Sequence, residues 1–254
     1  MDERPIQVCI VGARGKMGLE IVKAVKQDPD LTIMWEIDLE NAPVKSITAV
    51  PWKFAKDTLD VVLNFTNPEA TMESAIWCAE HSKPLVTGTT GLSEEQLKEL
   101  VRLAKRRVPM VFDSNMSLGV NLIDKLLPKF VSTLTGFDIE MVELHNSNKK
   151  DSPSGTAIRF AQTLAKAKGG KISFGRVKGH YDERPMNEVV VHSIRGGTVP
   201  GEHTIYFIGP DEVIEIHHRA LSRRIFVLGA LKAAKWVVKM ARPGLYNMND
   251  VLGL

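Results

Sequence analysis

Hydrophobic and polar positions in the first half of the chain follow two alternating periods. The apolar run IQVCIVG over 6–12 predicts a strand buried on both faces, and 17–28 then places apolar residues at helical spacing. Further strands are predicted over 31–38, 59–66, 83–91 and 108–115, and further helices over 69–82 and 93–107. Asn67 before Pro68, and a capping box from Ser93 to Gln96, mark two helix starts. Strands that alternate with helices across short loops predict right-handed crossovers and a doubly wound parallel sheet, a Rossmann-type α/β fold.

The second half has a different pattern. A strand over 137–145 and a helix over 154–170, closed by two glycines, are followed by three strand signals joined by glycine turns. These three segments are 187–197, 202–209 and 212–221. Adjacent strands without intervening helices predict a mainly antiparallel sheet in a second α+β domain over 117–224. A strong helical pattern over 225–241 ends at Pro243-Gly244.

Composition limits the classes of function. With 33 basic and 30 acidic residues the net charge is +3, so no nucleic-acid partner is expected, and no apolar run reaches the roughly 18 residues of a membrane helix. The start MDERPIQ is polar and leads directly into a strand, so no secretory signal is expected. Cys9 and Cys78 lie in apolar patterns and are expected to be reduced core residues. These features predict a cytoplasmic protein.

A glycine loop, GARGKMG, joins the first strand to the first helix. Gly12, Gly15 and Gly18 would let backbone N–H groups approach a pyrophosphate at the positive end of the helix, although Ala13 stands where a strict motif has glycine. Asp38 ends the second strand, where an acid can accept both ribose hydroxyls of an adenosine. The pattern predicts dinucleotide binding; the alternative is a tight structural turn.

Two more loops follow predicted strands, at the edge where open α/β sheets bind ligands. They are NFTNPEA over 64–70 and GTTG over 88–91, and their small residues would let a nicotinamide lie close to the backbone. Ordinary turns with a helix cap are the alternative interpretation.

The stretch HNSNKKDSPSGTA over 145–157 concentrates groups that suit an anionic substrate. His145 follows a strand and can exchange a proton near neutral pH, and Lys149 offers a cation for a carboxylate. Ser154 can cap the next helix, while Gly155 and Thr156 present N–H groups and a hydroxyl to an anion. This predicts a site for a small carboxylate; a capped helix with solvated lysines is the alternative.

These motifs together resemble the dihydrodipicolinate reductase (4-hydroxy-tetrahydrodipicolinate reductase) family of bacterial diaminopimelate and lysine biosynthesis. The resemblance spans nearly the whole chain, in order and spacing, through GARGKMG, NFTNPEA, GTTG, SNMSLGVN, KKDSPSGTA, RGGTVPGEHTIYF, EVIEIHHRALSR and GLYNMNDVL. It implies a homotetramer in which second-domain sheets meet, and NADH or NADPH as hydride donor. It also supports a first domain of 1–116 to which 225–254 returns.

The resemblance further implies roles for individual residues. His145 would be the acid/base and Lys149 the proton donor. The expected substrate-binding residues are Asn146, Lys149, Ser154, Gly155 and Thr156. The expected cofactor-binding residues are Gly12, Arg14, Gly15, Lys16, Met17, Gly18, Asp38, Phe65, Thr66, Gly88, Thr89, Thr90, Ser114, Asn115 and Met116. No metal is expected, because the seven histidines show no ligand spacing with Cys or Glu.

The chain departs from the family pattern at four positions. Asn146 replaces the second histidine of a His-His pair, a substrate-contact position, and Asn148 replaces a histidine that some members carry. Asn64 replaces an aspartate and Met116 a phenylalanine. An amide at 146 can donate a hydrogen bond but cannot carry positive charge.

These departures leave two alternatives to the expected reductase: a relative that acts on another imino or oxo acid, and a dinucleotide-binding regulatory protein. For the cofactor, Asp38 should repel a 2′-phosphate, and Leu39 supplies no guanidinium to bind one. NADH is therefore expected to serve at least as well as NADPH, with Arg14 and Lys16 as the residues that could still reach such a phosphate.

Overall fold

The structure is a computed structural model that describes residues 4–38, 46–50, 57–176, 178–180 and 183–254. Its contacts divide the chain into two units, Met1–Leu118 with Arg224–Leu254, and Gly119–Arg223. They are called the first and second unit below. Leu39, to which one cofactor expectation refers, lies outside the described residues.

The elements of the described residues are numbered in chain order. The strands are β1 (Ile6–Val11), β2 (Leu31–Ile37), β3 (Val61–Asn64), β4 (Leu85–Thr87), β5 (Pro109–Phe112), β6 (Asp138–His145), β7 (Lys171–Phe174), β8 (Glu188–Arg195), β9 (Gly201–Ile208), β10 (Val213–Ala220) and β11 (Gly244–Tyr246). The helices are α1 (Lys16–Val25), α2 (Pro68–Glu80), α3 (Glu94–Arg107), α4 (Leu118–Thr133), α5 (Gly155–Lys168), α6 (Arg224–Val237) and α7 (Met248–Leu252), with a 3₁₀ turn at Ile47–Ala49.

The first unit contains a six-stranded parallel sheet in the order β11-β5-β4-β3-β1-β2. Along β1, Val8 and Ile10 belong to one buried cluster and Cys9 and Val11 to another, so both faces of the strand are covered. This explains its continuous apolar run, because a strand buried on both faces has no polar side. The predicted Rossmann-type fold is confirmed, and β11 is an added edge strand that the apolar pattern did not predict.

Two helix starts in this unit follow the predicted capping chemistry. The Asn67 side chain accepts the backbone N–H of Ala70 at the start of α2. Ser93 and Gln96 form a reciprocal capping box at the start of α3. Side-chain acceptors satisfy N–H groups that a helix leaves without an internal partner. Both predicted caps are confirmed.

The second unit contains a five-stranded mixed sheet in the order β10-β9-β6-β8-β7. The β10–β9 and β9–β6 pairs are antiparallel, whereas the β6–β8 and β8–β7 pairs are parallel. The expectation of a mainly antiparallel sheet was therefore wrong in this detail. The helix α5 connects β6 to β7, and β8 lies between these two strands and runs parallel to both. Although β8 and β9 are neighbours in the chain, they do not pair but flank β6 on either side.

One face of the second sheet is covered and the other is open within the described chain. Side chains of α4 and α5, including Val131 and Phe160, pack against Met141 and Phe207. The opposite face carries partly exposed side chains, such as Tyr206 on β9 and Ile194 on β8, of which Ile194 is 49% exposed. None of the described helices combines the length and apolar character needed to cross a bilayer.

Candidate active site

The glycine loop of the first unit is shaped by close backbone approaches. Gly12 has φ +81°, and a Cβ there would lie 2.3 Å from Thr66 Cγ2. A Cβ on Gly18 would lie 1.9 Å from the Gly12 carbonyl oxygen, so α1 can pack this closely on β1 only with glycine. Gly15 is the N-cap of α1 and supplies no side-chain cap. The helix thus begins with first-turn N–H groups that no capping side chain within the described residues satisfies, as an anion site at a helix N-terminus requires.

Two carboxylates at the end of β2 engage the same arginine. Asp38 Oδ2 accepts the backbone N–H of Arg14 at 2.7 Å, which ties the glycine loop to β2. The Arg14 guanidinium pairs with Glu36 at 2.9 Å. Arg14, one of the two basic residues expected to be able to reach a 2′-phosphate, therefore has an acidic partner on β2. The structure brings Asp38 and the glycine loop together as the sequence predicted.

Asn64, one of the family departures, is a fully buried hub of the loop after β3. Its Nδ2 donates to the Ala70 carbonyl at 2.9 Å and to Ser74 Oγ at 2.7 Å. Its Oδ1 accepts from the backbone N–H and the hydroxyl of Thr66. An aspartate would lose the two donated bonds, so the amide suits this packing.

The two small-residue loops after β3 and β4 contact each other. A Cβ on Gly88 would lie 2.5 Å from Phe65 Cε1, and the Thr71 hydroxyl donates to Thr89 Oγ1 at 2.7 Å. Thr90 is exposed beside them. The segment after β5 is partly buried: Ser114 is exposed, whereas Met116 is 2% exposed and packs in the core. Met116 therefore offers almost no surface to a ligand.

In the second unit, the acid/base candidate His145 ends β6 and has a buried carboxylate partner. Its Nδ1 forms a short hydrogen bond with Glu143 Oε2, and Glu143 Oε1 also lies 2.7 Å from the Arg195 guanidinium. Burial raises the pKa of the Glu143 carboxyl, but hydrogen bonds from His145 and Arg195 outweigh it and hold that pKa at about 2. Glu143 is therefore ionised at neutral pH.

A second histidine, His203 on β9, lies next to His145. The two ring centroids are 5.2 Å apart, and His203 Nε2 lies 3.0 Å from Ser154 Oγ, which itself accepts the N–H of Ala157 as the cap of α5. Burial, with a smaller repulsive contribution from His145, lowers the pKa of His203 to about 3. His203 is therefore neutral and couples the start of α5 to β9.

The loop that carries Lys149 is ordered by short-range bonds. Asn146 Oδ1 accepts the N–H of Asn148 at 3.1 Å, and the Asn146 carbonyl accepts the N–H of Lys149. Lys149 Nζ pairs with Asp151 at 2.8 Å, and this pairing lowers the pKa of the Asp151 carboxyl. Asn146 thus shapes the turn that presents Lys149.

Gly155 opens α5 beside Thr156. It has no positive φ, and a Cβ there would meet no atom of the described chain within 4 Å. The fold itself therefore does not require glycine at this position. Open space at the first turn of a helix instead fits the approach of a ligand to backbone N–H groups.

Glu143, His145 and His203 place ligand-type atoms within 4.8 Å of one another. Sequence spacing gave no sign that His203 joins this cluster, because it comes from another strand. The adjacent Arg195 cation already balances the Glu143 charge, so the surroundings are unfavourable for a metal ion. The adjacent histidines of β10, His217 and His218, point to opposite sides of the strand: His217 is exposed and His218 is partly buried.

Three residues that complete this site were missed by the sequence reasoning: Glu143, Arg195 and His203. Glu143 stands two residues before His145, and that spacing on a strand could have indicated one shared face. No local signal connects Arg195 or His203 to His145, because β8 and β9 reach β6 only through long-range pairing.

Comparison with known proteins gives consistent matches along the chain. Residues 6–116 match the family described as Dihydrodipicolinate reductase, N-terminus, and residues 119–252 match Dihydrodipicolinate reductase, C-terminus. A curated 4-hydroxy-tetrahydrodipicolinate reductase of Caldanaerobacter subterraneus subsp. tengcongensis is 40% identical over 250 residues, which cover 97% of this chain and 98% of the relative. One of Nitratidesulfovibrio vulgaris is 42% identical over 260 residues, which cover 96% and 98%.

A solved structure supports the same relationship. Dipicolinate-bound dihydrodipicolinate reductase from Paenisporosarcina sp. TG-14 superposes with a TM-score of 0.78 at 25% identity. The match covers 96% of this chain and 97% of that one.

Proposed function

The chain belongs to the dihydrodipicolinate reductase family and is an oxidoreductase, and we propose that it reduces 4-hydroxy-tetrahydrodipicolinate to tetrahydrodipicolinate with NAD(P)H in diaminopimelate and lysine biosynthesis. The observation that carries this proposal is that one chain of this family contains both kinds of site. The glycine loop leads into a helix without a side-chain cap and has an acidic partner in Asp38. The buried Glu143–His145 pair stands just before Lys149 in the chain. The overall reaction consumes one NAD(P)H and one proton and releases NAD(P)⁺ and water.

The residues of the first unit fit a dinucleotide. The N–H groups at the start of α1 would hold the pyrophosphate, and Asp38 would accept the ribose hydroxyls while keeping its bond to Arg14 N–H. When bound, the nicotinamide supplies a hydride to an electron-poor carbon. The remaining cofactor-binding residues of this proposal are Gly12, Arg14, Gly15, Lys16, Met17, Gly18, Phe65, Thr66, Gly88, Thr89, Thr90, Ser114, Asn115 and Met116.

NADH is proposed to serve at least as well as NADPH. A 2′-phosphate would lie near Asp38, and the Arg14 guanidinium is engaged by Glu36 at 2.9 Å. Like charge at this position opposes a phosphate. The check is kcat/KM with each cofactor, and a clear preference for NADPH would refute the proposal.

The second unit is proposed to bind the dicarboxylate substrate. Gly155 and Thr156 would receive one carboxylate at the start of α5, whose cap Ser154 is held by His203. Lys149 would exchange Asp151 for a substrate carboxylate. The Asp151 side chain is 58% exposed, and an ion pair this exposed stabilises the protein by only about 1 kcal/mol or less. Asn146 would add a neutral donor. The solved relative was described with dipicolinate, a planar dicarboxylate of the same kind.

Three proton transfers accompany the hydride. Loss of the substrate hydroxyl as water takes a proton from the neighbouring carbon and places one on the leaving oxygen. Hydride addition to the conjugated imine then needs one proton on the carbon skeleton, so one proton is consumed overall. His145 is proposed as the acid/base, and Lys149 as the proton donor and carboxylate partner. Their roles follow from the family resemblance and from the buried carboxylate behind His145.

A homotetramer in the cytoplasm is part of the same proposal. The open face of the second sheet presents a row of partly buried side chains, including Val142, Leu144 and Tyr206. An exposed sheet face of this kind suits association between copies of the same chain. Size-exclusion chromatography with light scattering measures the assembly directly.

The test of the reaction is a spectrophotometric assay with enzymatically generated 4-hydroxy-tetrahydrodipicolinate and either cofactor. Lys149→Ala should lower kcat/KM by about 10²–10⁴-fold while NADH binding stays unchanged, because the lysine acts on the substrate alone. Lys150→Ala, at the exposed neighbouring position, is the matched control and should keep wild-type activity. Full activity of Lys149→Ala would show that Lys149 has no role in catalysis. If the wild-type protein binds NADH but does not turn over this substrate, another imino or oxo acid is indicated.

A further inference from the structure

Glu143 is the most enclosed charged group next to His145. Its side chain has no exposed surface, and it lies on the same face of β6 because residues two apart on a strand point the same way. A buried carboxylate is costly unless hydrogen bonds and countercharge compensate it.

The two oxygens of Glu143 have separate partners. Oε2 faces His145 Nδ1. Oε1 lies 2.7 Å from Arg195 and receives the backbone N–H of Ser154 at 3.4 Å. Arg195 is itself held by the Asp151 carbonyl, to which it donates at 2.8 Å. Oε1 is therefore committed to two donors, and Oε2 faces the imidazole; the Ser193 side chain is a further hydrogen-bond partner of the carboxylate.

The other groups around His145 do not compete for Nδ1. His203, from β9, contacts the ring edge-on and is neutral, and the loop carries the Lys149–Asp151 pair. The Nε2 side faces Gly201, where a Cβ would lie 2.8 Å away. Glycine therefore leaves room at Nε2 that any side chain would take.

We propose that Glu143 and Arg195 are a positioning pair that fixes the protonation form of His145. The carboxylate accepts the Nδ1–H, so Nε2 is the nitrogen that exchanges a proton, and Arg195 keeps the carboxylate ionised and oriented. The proposal rests on the proposed function only for the identity of the substrate. Neither residue contacts substrate in this scheme; both act through the imidazole.

Replacement of Glu143 by glutamine gives a sharp test. Arg195 and the Ser154 N–H are donors, so they retain the amide oxygen, and the amide NH₂ turns to His145. Nδ1 must then accept, which moves the ring proton to Nε2. Glutamine has nearly the same volume as glutamate, so the substitution should reverse the His145 tautomer without changing the packing.

The first measurement is ¹⁵N NMR of His145 in the ligand-free protein, at a pH where the ring is neutral. Wild type should show protonated Nδ1 and bare Nε2, and Glu143→Gln the reverse. The second is steady-state kinetics, in which Glu143→Gln should lower kcat by about 10²-fold or more with a smaller change in KM.

Glu140→Gln is the matched control, because Glu140 lies on the opposite face of β6, bonded to His192 at 2.8 Å and to Arg184. It should keep kcat and the His145 tautomer. Protonated Nε2 in wild type, or unchanged kcat in folded Glu143→Gln, would overturn the proposal. If Glu143→Gln does not fold, the wild-type tautomer alone decides. Because NMR uses no substrate, it stands apart from the assay that tests the reductase function.

Discussion

At the residue scale, Asn146 shows how a departure from the family can be accommodated. Its amide oxygen accepts the Asn148 N–H at 3.1 Å and so closes the turn before Lys149. Asparagine is suited to this bond, because a short side-chain oxygen reaches the N–H two residues on. The chain thus has a turn-forming residue at a position where the family resemblance implies an imidazole. Asn146 thus gains a hydrogen bond that closes the turn, but it cannot carry the positive charge of a protonated histidine.

The effect of Asn146→His on KM should therefore depend on pH. At pH 6 the imidazolium adds a charge-assisted contact to the substrate, and KM for 4-hydroxy-tetrahydrodipicolinate should fall several-fold, or by roughly 1 kcal/mol. At pH 8 the neutral ring adds no charge and the turn is lost, so KM should be no better than that of wild type. Steady-state kinetics at both pH values check this. Loss of turnover at both would favour a different natural substrate.

At the element scale, the end of β2 and the start of α1 act together. Asp38 binds the glycine loop through Arg14 N–H, and Glu36 binds the Arg14 side chain. Two residues at the end of β2 thereby position the loop and neutralise its arginine. Glu36 was not among the predicted site residues, because it would affect a cofactor only through Arg14.

Glu36→Gln should release the Arg14 guanidinium for a 2′-phosphate. kcat/KM for NADPH is expected to rise about 3–10-fold, the effect of one partly solvated ion pair, while the value for NADH changes little. Adding Arg14→Ala to the variant should remove the gain. An equal NADPH rate with and without Arg14 would show that another group, such as Lys16, binds the phosphate.

At the scale of the whole molecule, buried ionisable groups of the second unit connect its stability to pH. The pKa of His203 is lowered to about 3 in the folded protein from an ordinary value of 6.5. The unfolded chain therefore takes up a proton first, so the stability due to a neutral His203 is complete above pH 6.5 and is lost as pH falls toward 3. Glu143, with its pKa lowered from 4.5 to about 2, adds a loss between those values.

The free energy of unfolding should accordingly fall between pH 6.5 and 4.5, by up to about 1.4 kcal/mol per pH unit for one proton. Urea denaturation at a series of pH values measures it. His203→Gln should flatten the dependence in this range, whereas His217→Gln, at an exposed position on β10, should leave it unchanged. Identical slopes for wild type and His203→Gln would show that His203 is not the responsible group.

The sequence by itself determined the parts of this protein that rest on local chemistry. The apolar runs of β1 to β5, the caps at Asn67 and Ser93, and the family itself were all predicted and are confirmed. Periodicity and capping involve residues within a few positions of one another, so the chain order carries that information directly.

Only the tertiary structure decided which distant residues meet. The placement of β6 between β8 and β9 made the second sheet mixed, and it brought Glu143, Arg195 and His203 around His145. Asn64 likewise needed its buried partners Ala70 and Ser74 before an amide there could be explained. In the sequence alone, a charged residue that will be buried cannot be told from one that will lie on the surface. What separates them is strand pairing across many residues, which local patterns do not specify.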